Sequence, residues 1–570
     1  MAAQSTLSGA APLRVAFWVT FLIACVCVPD ANAADLLLQH VNGYTLAADG
    51  TLQRFDSLLI DGGKVVAGGS NAELSARAAG ARRVDGGGRT LLPGLIDAHG
   101  HVMGLGFVAT QLDLSATTTL PGALDAIKRF RARHGDSAWI RGRGWNQAIW
   151  KLGRFPTARE LDAVTGGRPA WLERVDGHAG WANSAAMKVA GIDKATVDPR
   201  GGRIERDADG NPSGVFVDGA MELIDKVVPA PTAQESAGAL DAALAAMARV
   251  GLTGVGDAGI DAATFALYRQ YADTGKLTTR IYAMIGGTDA DFDALAKDGP
   301  VNAYGDAMLS LRAVKLYADG ALGSRGAALL APYADDPSNR GLLFHAPDEL
   351  TAMIEKAFGK GYQVCIHAIG DSGNREVLDA FAAAYKQFPD AAALRNRVEH
   401  AQVVAVDDIP RFKTLQLIAS MQPTHATSDM NMAQDRIGEE RLKGAYAWRT
   451  FLDQGTIIAG GSDFPVESVN PFFGIHAAVT RQDHDSKPAG GWRPEQKMTL
   501  REAFRAFTLD AAFAQHQERT LGTLEPGKWA DFILVDQDIF KVTPEKLWKT
   551  RVLQTWVGGR QVYEKRNDSI

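Results

Sequence analysis

The feature that most restricts the fold of this 570-residue chain is an alternation, from about residue 91 to residue 460, between short apolar runs and longer stretches with helical spacing. Eight of the runs read as strands: Leu91 to Asp97, Leu252 to Gly256, Arg280 to Ile285, Arg312 to Leu316, Gln363 to Ile366, Arg397 to Glu399, Leu417 to Met421 and Thr456 to Ala459. Apolar runs bounded by turn residues and separated by helices are what a parallel sheet covered by helices requires. Eight such units predict an α/β fold of the TIM (β/α)8 barrel type. The gap between the first two runs is far longer than one helix needs, which predicts an insertion over about residues 102–250 on the catalytic face.

The polar residues that end these runs carry the chemistry. The first run leads into His99 and His101, and on an extended backbone residues i and i+2 point to one side, so both imidazoles face one point. The fourth run carries Lys315 and ends in Asp319-Gly320, the fifth leads into His367, the sixth into His400, and the eighth into Ser462-Asp463. In a barrel the C-terminal strand ends converge on one mouth. Four histidines, a lysine and an aspartate gathered there predict a metal site.

Both chain ends read differently. Residues 34–91 and 520–570 are rich in short β runs and Gly turns, which predicts one small β-sandwich domain built from the two ends, with the barrel occupying residues 92–519. At the N-terminus Arg14 precedes an apolar stretch from Val15 to Val28, and Ala31-Asn32-Ala33 offers the small-x-small pattern of a signal-peptide cleavage site. The expectation is an exported protein, periplasmic or secreted, cleaved near Ala33 and without a stable membrane span. Leu22-Ile23-Ala24-Cys25 also fits a lipoprotein pattern, with a lipid anchor at Cys25 as the lesser option. Cleavage at Ala33 leaves Cys365 as the one cysteine, in an apolar run that predicts a buried thiol. A net charge of −6 and no long basic run exclude a nucleic-acid role. A small-molecule partner is expected, with a homodimer as one option for the assembly.

Taken together, Leu92-Pro93-Gly94-Leu95-Ile96-Asp97-Ala98-His99-Gly100-His101, Asp176-Gly177-His178, Lys315 through Gly320, His367 through Asp371, Glu399-His400-Ala401-Gln402, Gly461 through Pro465 and Gly522 through Asp531 resemble the amidohydrolase superfamily. The match is closest to its YtcJ-like branch, which includes N-substituted formamide deformylases, and covers nearly everything after the first 33 residues. The resemblance implies a metal-dependent hydrolase of non-peptide carbon–nitrogen bonds. It implies that His99 and His101 bind a first divalent ion, His367 and His400 a second, and a carboxylated Lys315 bridges the two. Zinc suits imidazole and carboxylate ligands best. The other reading of Lys315, an uncarboxylated core lysine, goes with one ion. Asp463 is then a ligand and the catalytic carboxylate, accepting a proton as hydroxide generated at the metal attacks the carbonyl. Asp97 and Glu399 are either partners that orient a ligand imidazole or structural ion pairs.

The insertion supplies candidate substrate contacts. Trp145 and His178 are expected to line the pocket, with His178 on the substrate carbonyl or its transition-state oxyanion, and His425 is a further mouth residue able to meet substrate or metal. His476, His484 and His516 are expected to be bystanders. Two other functions stay open: a non-catalytic periplasmic ligand or metal binder, and the same site acting on a lactone or phosphoester.

Overall fold

In the computed structural model, which describes residues 34–134 and 138–566, seven of the eight expected runs and the second half of the first form strands that pair in parallel within one sheet. They are β1 (Leu95–Gly100), β2 (Leu252–Ile260), β3 (Arg280–Gly286), β4 (Leu309–Tyr317), β5 (Gln363–Ala368), β6 (Arg397–His400), β7 (Ile418–Met421) and β8 (Ile458–Gly460). Each pairs in parallel with its neighbours in chain order, from β1 to β8, giving a nearly closed TIM-like barrel. Almost every residue of these strands is buried, which is why they read as unbroken apolar runs.

Closure between β8 and β1 is made by side chain and loop. The Asp97 carboxylate accepts from the Ser462 hydroxyl at 2.6 Å and the Ser462 amide at 3.0 Å. Just beyond, the Asp463 amide donates to the His99 carbonyl and the His101 amide to the Phe464 carbonyl, each at 2.7 Å. Asp97 thus binds backbone and serine and holds no imidazole.

The first expected strand needs correction. Leu91 to Asp97 divides at Gly94: Thr90–Pro93 pairs antiparallel with Phe532–Val535 of the chain's other end, and the barrel strand starts at Leu95 and runs on to Gly100. A Cβ at Gly94 would run into the Thr253 side chain, so the crossing from one sheet to the other needs glycine.

The two ends of the described chain form a four-stranded and a six-stranded sheet. Leu38, Ile60 and Leu91 from the N-terminal side pack with Phe532, Leu534 and Trp556 in a shared core. Asp531 ties this layer to the barrel: both its oxygens accept from the Arg280 guanidinium, at 2.7 and 3.0 Å, with both residues buried. Between β1 and β2 the chain builds a separate six-stranded sheet, from Leu112–Asp113 to Pro212–Asp218, with its own core around Leu172, Trp181 and Val215. The signal-peptide expectation and Cys25 lie outside the described residues. Among the described residues no helix is long and apolar enough to cross a membrane. Cys365 is fully buried, and burial pushes its thiol up to about 12.

Candidate metal centre

At the C-terminal strand ends the predicted ligands come together. His99 lies on β1 and His101 just past it. Lys315 is on β4, His367 on β5, His400 ends β6, and Asp463 follows β8. The His400 ring centroid lies 4.8 Å from that of His99 and 4.6 Å from that of His367. His400 and Asp463 hold left-handed backbone conformations, φ +72° and +60°, rare for residues with a side chain. Strain of this kind collects where function over-determines geometry.

Hydrogen bonds set which ring nitrogen faces the centre. His99 Nδ1 lies 2.6 Å from Glu399 Oε2, and Arg397 holds the other carboxylate oxygen at 2.6 Å. Nδ1–H therefore donates, and the Nε2 lone pair is left facing inward. His101 Nδ1 donates to the Ala258 carbonyl at 2.9 Å, and His400 Nδ1 to Gln422 Oε1 at 2.8 Å, so both also present Nε2. His367 differs, since its Nε2 is the atom near the Gly320 carbonyl, at 3.4 Å, leaving Nδ1. Asp463 Oδ1 sits 3.0 Å from His101 Nε2 and 3.6 Å from His99 Nε2. His99 Nε2 and Asp463 Oδ1 are both buried with no hydrogen-bond partner. Two imidazole nitrogens and a carboxylate oxygen converging without bonding one another are a ligand set for a divalent cation, and these residues fit one.

The electrostatics agree. Burial holds the His99 pKa down at about 4, and burial also drives His367 and His400 well below the usual imidazole range, so the rings are neutral at pH 7, the form in which an imidazole can bind a cation. Burial opposes charge on Asp463, but His101, His400 and His99 outweigh it and keep the carboxyl well below its ordinary value. Arg397 and His99 likewise hold Glu399 ionised against its burial. Lys315 is buried, with Nζ 3.8 Å from the Tyr317 ring centroid and no hydrogen-bond or carboxylate partner among the described residues.

A cavity of about 770 Å³ opens over the cluster, with His101, Lys315, His367, His400 and Asp463 at its floor. His178 reaches it from the insertion, its ring 5.0 Å from that of His367. Trp145 does not. It is fully buried in the insertion core, where its Nε1 donates to the Leu172 carbonyl at 2.7 Å, so the expected pocket wall is a packing residue. His425 stands behind the floor. The Gln402 amide, anchored on Asp429, donates to His425 Nδ1 at 3.1 Å, so the ring proton is on Nε2, 3.6 Å from Asp463 Oδ2. In that tautomer His425 offers a donor toward Asp463 and no metal lone pair. His476 and His516 lie away from the cavity, as does His484, stacked on Trp548. Asp218, which accepts from His178 Nδ1 at 2.7 Å, and the orienting amides Gln402 and Gln422 were not expected. For Asp218 the one local signal was a carboxylate before Gly219 at the end of a β run.

A parallel barrel with histidine, lysine and carboxylate side chains at its mouth defines a hydrolase with a metal-binding site. The amidohydrolase family model matches residues 82–563. YtcJ of Bacillus subtilis (strain 168) is 33% identical over 534 residues, 92% of this chain and 98% of that protein. The N-substituted formamide deformylase of Arthrobacter pascens is 28% identical over 544 residues, 93% and 98% of the two chains. An uncharacterised metal-dependent hydrolase from Pyrococcus horikoshii has a solved structure with a TM-score of 0.73 and 27% identity, covering 89% of this chain and 99% of its own. The chain belongs to the amidohydrolase family, in its YtcJ-like branch.

Proposed function

We propose that this hydrolase cleaves the carbon–nitrogen bond of a small amide, N-substituted formamide or cyclic amide. The observation that carries the reading is the buried Asp463 oxygen, without a hydrogen-bond partner, at the meeting point of the His99 and His101 Nε2 atoms. His99, His101 and Asp463 would hold one divalent ion. His367 and His400, together with a carboxylated Lys315, would hold a second, and zinc fits this donor set. A divalent ion bound there is a Lewis acid that acidifies water toward neutral pH and polarises a carbonyl.

The remaining chemistry falls to the chain's own residues. Asp463, whose carboxyl lies well below its ordinary value, accepts the proton of the attacking water and returns it to the leaving nitrogen. His178 turns Nδ1–H toward Asp218, so Nε2 faces the cavity as an acceptor, which suits a substrate N–H and not, as expected from the sequence, the carbonyl oxygen. Glu173, Asp176, Glu222 and Asp225 outnumber Arg143 and Arg200 around the cavity, which favours a neutral amide over an anionic phosphoester. The likeness to a deformylase supports the formamide class. Lys315, buried without an acidic partner, supports the carbamate. We read the insertion sheet as the cover of the mouth, the terminal sheets as a β-sandwich that braces the barrel, and the segment ending at Ala33 as an export signal.

The test is metal content by elemental analysis of purified wild-type and Lys315→Ala protein, each screened against N-substituted formamides, amides and cyclic amides. About two ions per chain, falling together with activity in the variant, is the expected result. No metal, or full activity without Lys315, refutes the two-ion site.

A further inference from the structure

One buried carboxylate approaches the site from the insertion rather than from the barrel. Asp218 ends the strand Pro212–Asp218 with φ +50°, in the left-handed region, and its side chain is fully buried. Oδ1 lies 2.7 Å from His178 Nδ1. Oδ2 is buried with no hydrogen-bond partner. It is packed against Gly320 and Gly326 of the loop after β4, and a Cβ at either glycine would collide with it. Left-handed backbone, an acceptor without a donor and two glycines spent on clearance are each unfavourable or restrictive. All three converge on holding one carboxylate against one imidazole. Among the described residues no other side chain is hydrogen-bonded to the His178 ring, whose Nδ1 edge is turned toward Asp218 by this contact.

We propose that Asp218 is a positioning residue, which fixes His178 with its proton on Nδ1 and so presents the Nε2 lone pair to the cavity as an acceptor for the substrate N–H. The insertion then contributes a carboxylate–imidazole pair to a reaction centre otherwise built from barrel strands. The inference rests on the hydrolase reading above for its kinetic arm, and its spectroscopic arm stands without it.

In the spectroscopic arm the resting protein is labelled with ¹⁵N-histidine, and the ring signals that disappear in His178→Ala are assigned to His178. An Nδ1–H pattern in wild type, lost in Asp218→Asn, is expected. An Nε2–H pattern in wild type, or one unchanged in Asp218→Asn, overturns the proposal. In the kinetic arm the probe is formanilide. Asp218→Asn is expected to lower kcat on the order of 10²-fold, the range of one proton-handling group, with KM and metal content near wild type. In the His178→Ala background the same change is expected to lower kcat no further. A second loss of equal size there overturns the proposal. Gly326→Ala, which crowds Oδ2 without touching its charge, is expected to reproduce the kcat loss, and full activity in that variant also overturns it. Absence of turnover in wild type with the tautomer pattern intact would instead refute the hydrolase reading alone.

Discussion

Replacing Glu399 with Gln perturbs two things that can be measured apart. In the fold Glu399 accepts from His99 at 2.6 Å on one oxygen and from Arg397 at 2.6 Å on the other, and all three side chains are fully buried. Gln offers one acceptor oxygen for two donors, so either His99 or Arg397 faces an amide NH2. Leaving a buried charge without its partner costs about 3–5 kcal/mol. Losing the carboxylate on a ligand imidazole lowers metal affinity about 10–100-fold, or about 1.4–2.8 kcal/mol. The stability loss is read by urea unfolding of the metal-free protein, the affinity loss by chelator competition. Adding Arg397→Met to Glu399→Gln removes the stranded charge, so more than half the stability is expected to return while the metal affinity stays low. Wild-type metal affinity in Glu399→Gln, or recovery of both properties in the double variant, would refute this account of how His99 is held.

Three further outcomes are expected. Asp531→Ala strands the buried Arg280 guanidinium and should destabilise the fold by about 3–5 kcal/mol in urea titration, with activity at low denaturant retained. Trp145→Phe loses the bond to the Leu172 carbonyl and some packing, a loss of about 1–2 kcal/mol by the same assay, and KM should not move, since the indole does not reach the cavity. The histidine cluster of the metal-free protein should contribute less stability as pH falls from about 6.5 to 4. His99 is held neutral down to about 4, so the unfolded chain binds more protons across that window; this one ring contributes on the order of 3 kcal/mol, and His367 and His400 act in the same direction. Asp97 and Asp319, pushed up to about 7 by burial, act in the opposite direction over the same window, so the test is the difference between thermal melts of wild type and His99→Gln from pH 4 to 8: wild type should lose ground to the variant toward pH 4, and a flat or inverted difference would contradict the sign.

All eight barrel strands were legible because strands buried on both faces leave unbroken apolar runs. The gathering of polar side chains was legible for a related reason: parallel strands carry their terminal polar residues to one rim, so His99, His367, His400 and Asp463 could be lined up without knowing the strand order. What hydrophobicity does not encode is which sheet a run joins, and Leu91 and Leu92 went to the terminal layer because of the clearance at Gly94. Nor does it separate an indole in a core from one on a pocket wall, which is the whole difference for Trp145. Asp218 acts through His178, 40 residues earlier, and Gln402 through His425, 23 residues later; neither pairing leaves a local trace.

The seam between β1 and β8 has a consequence for the order of events in this protein's synthesis. Asp97 and Ser462, 365 residues apart, zip the barrel shut, and the next residues along the same seam are His99 and Asp463. A nascent chain that has not yet emerged past Ser462 already carries the four predicted histidine ligands, but it lacks the carboxylate that completes their cluster. On the proposed reading, an ion held by His99 and Asp463 together would gain its full set of ligands only once the ring has closed.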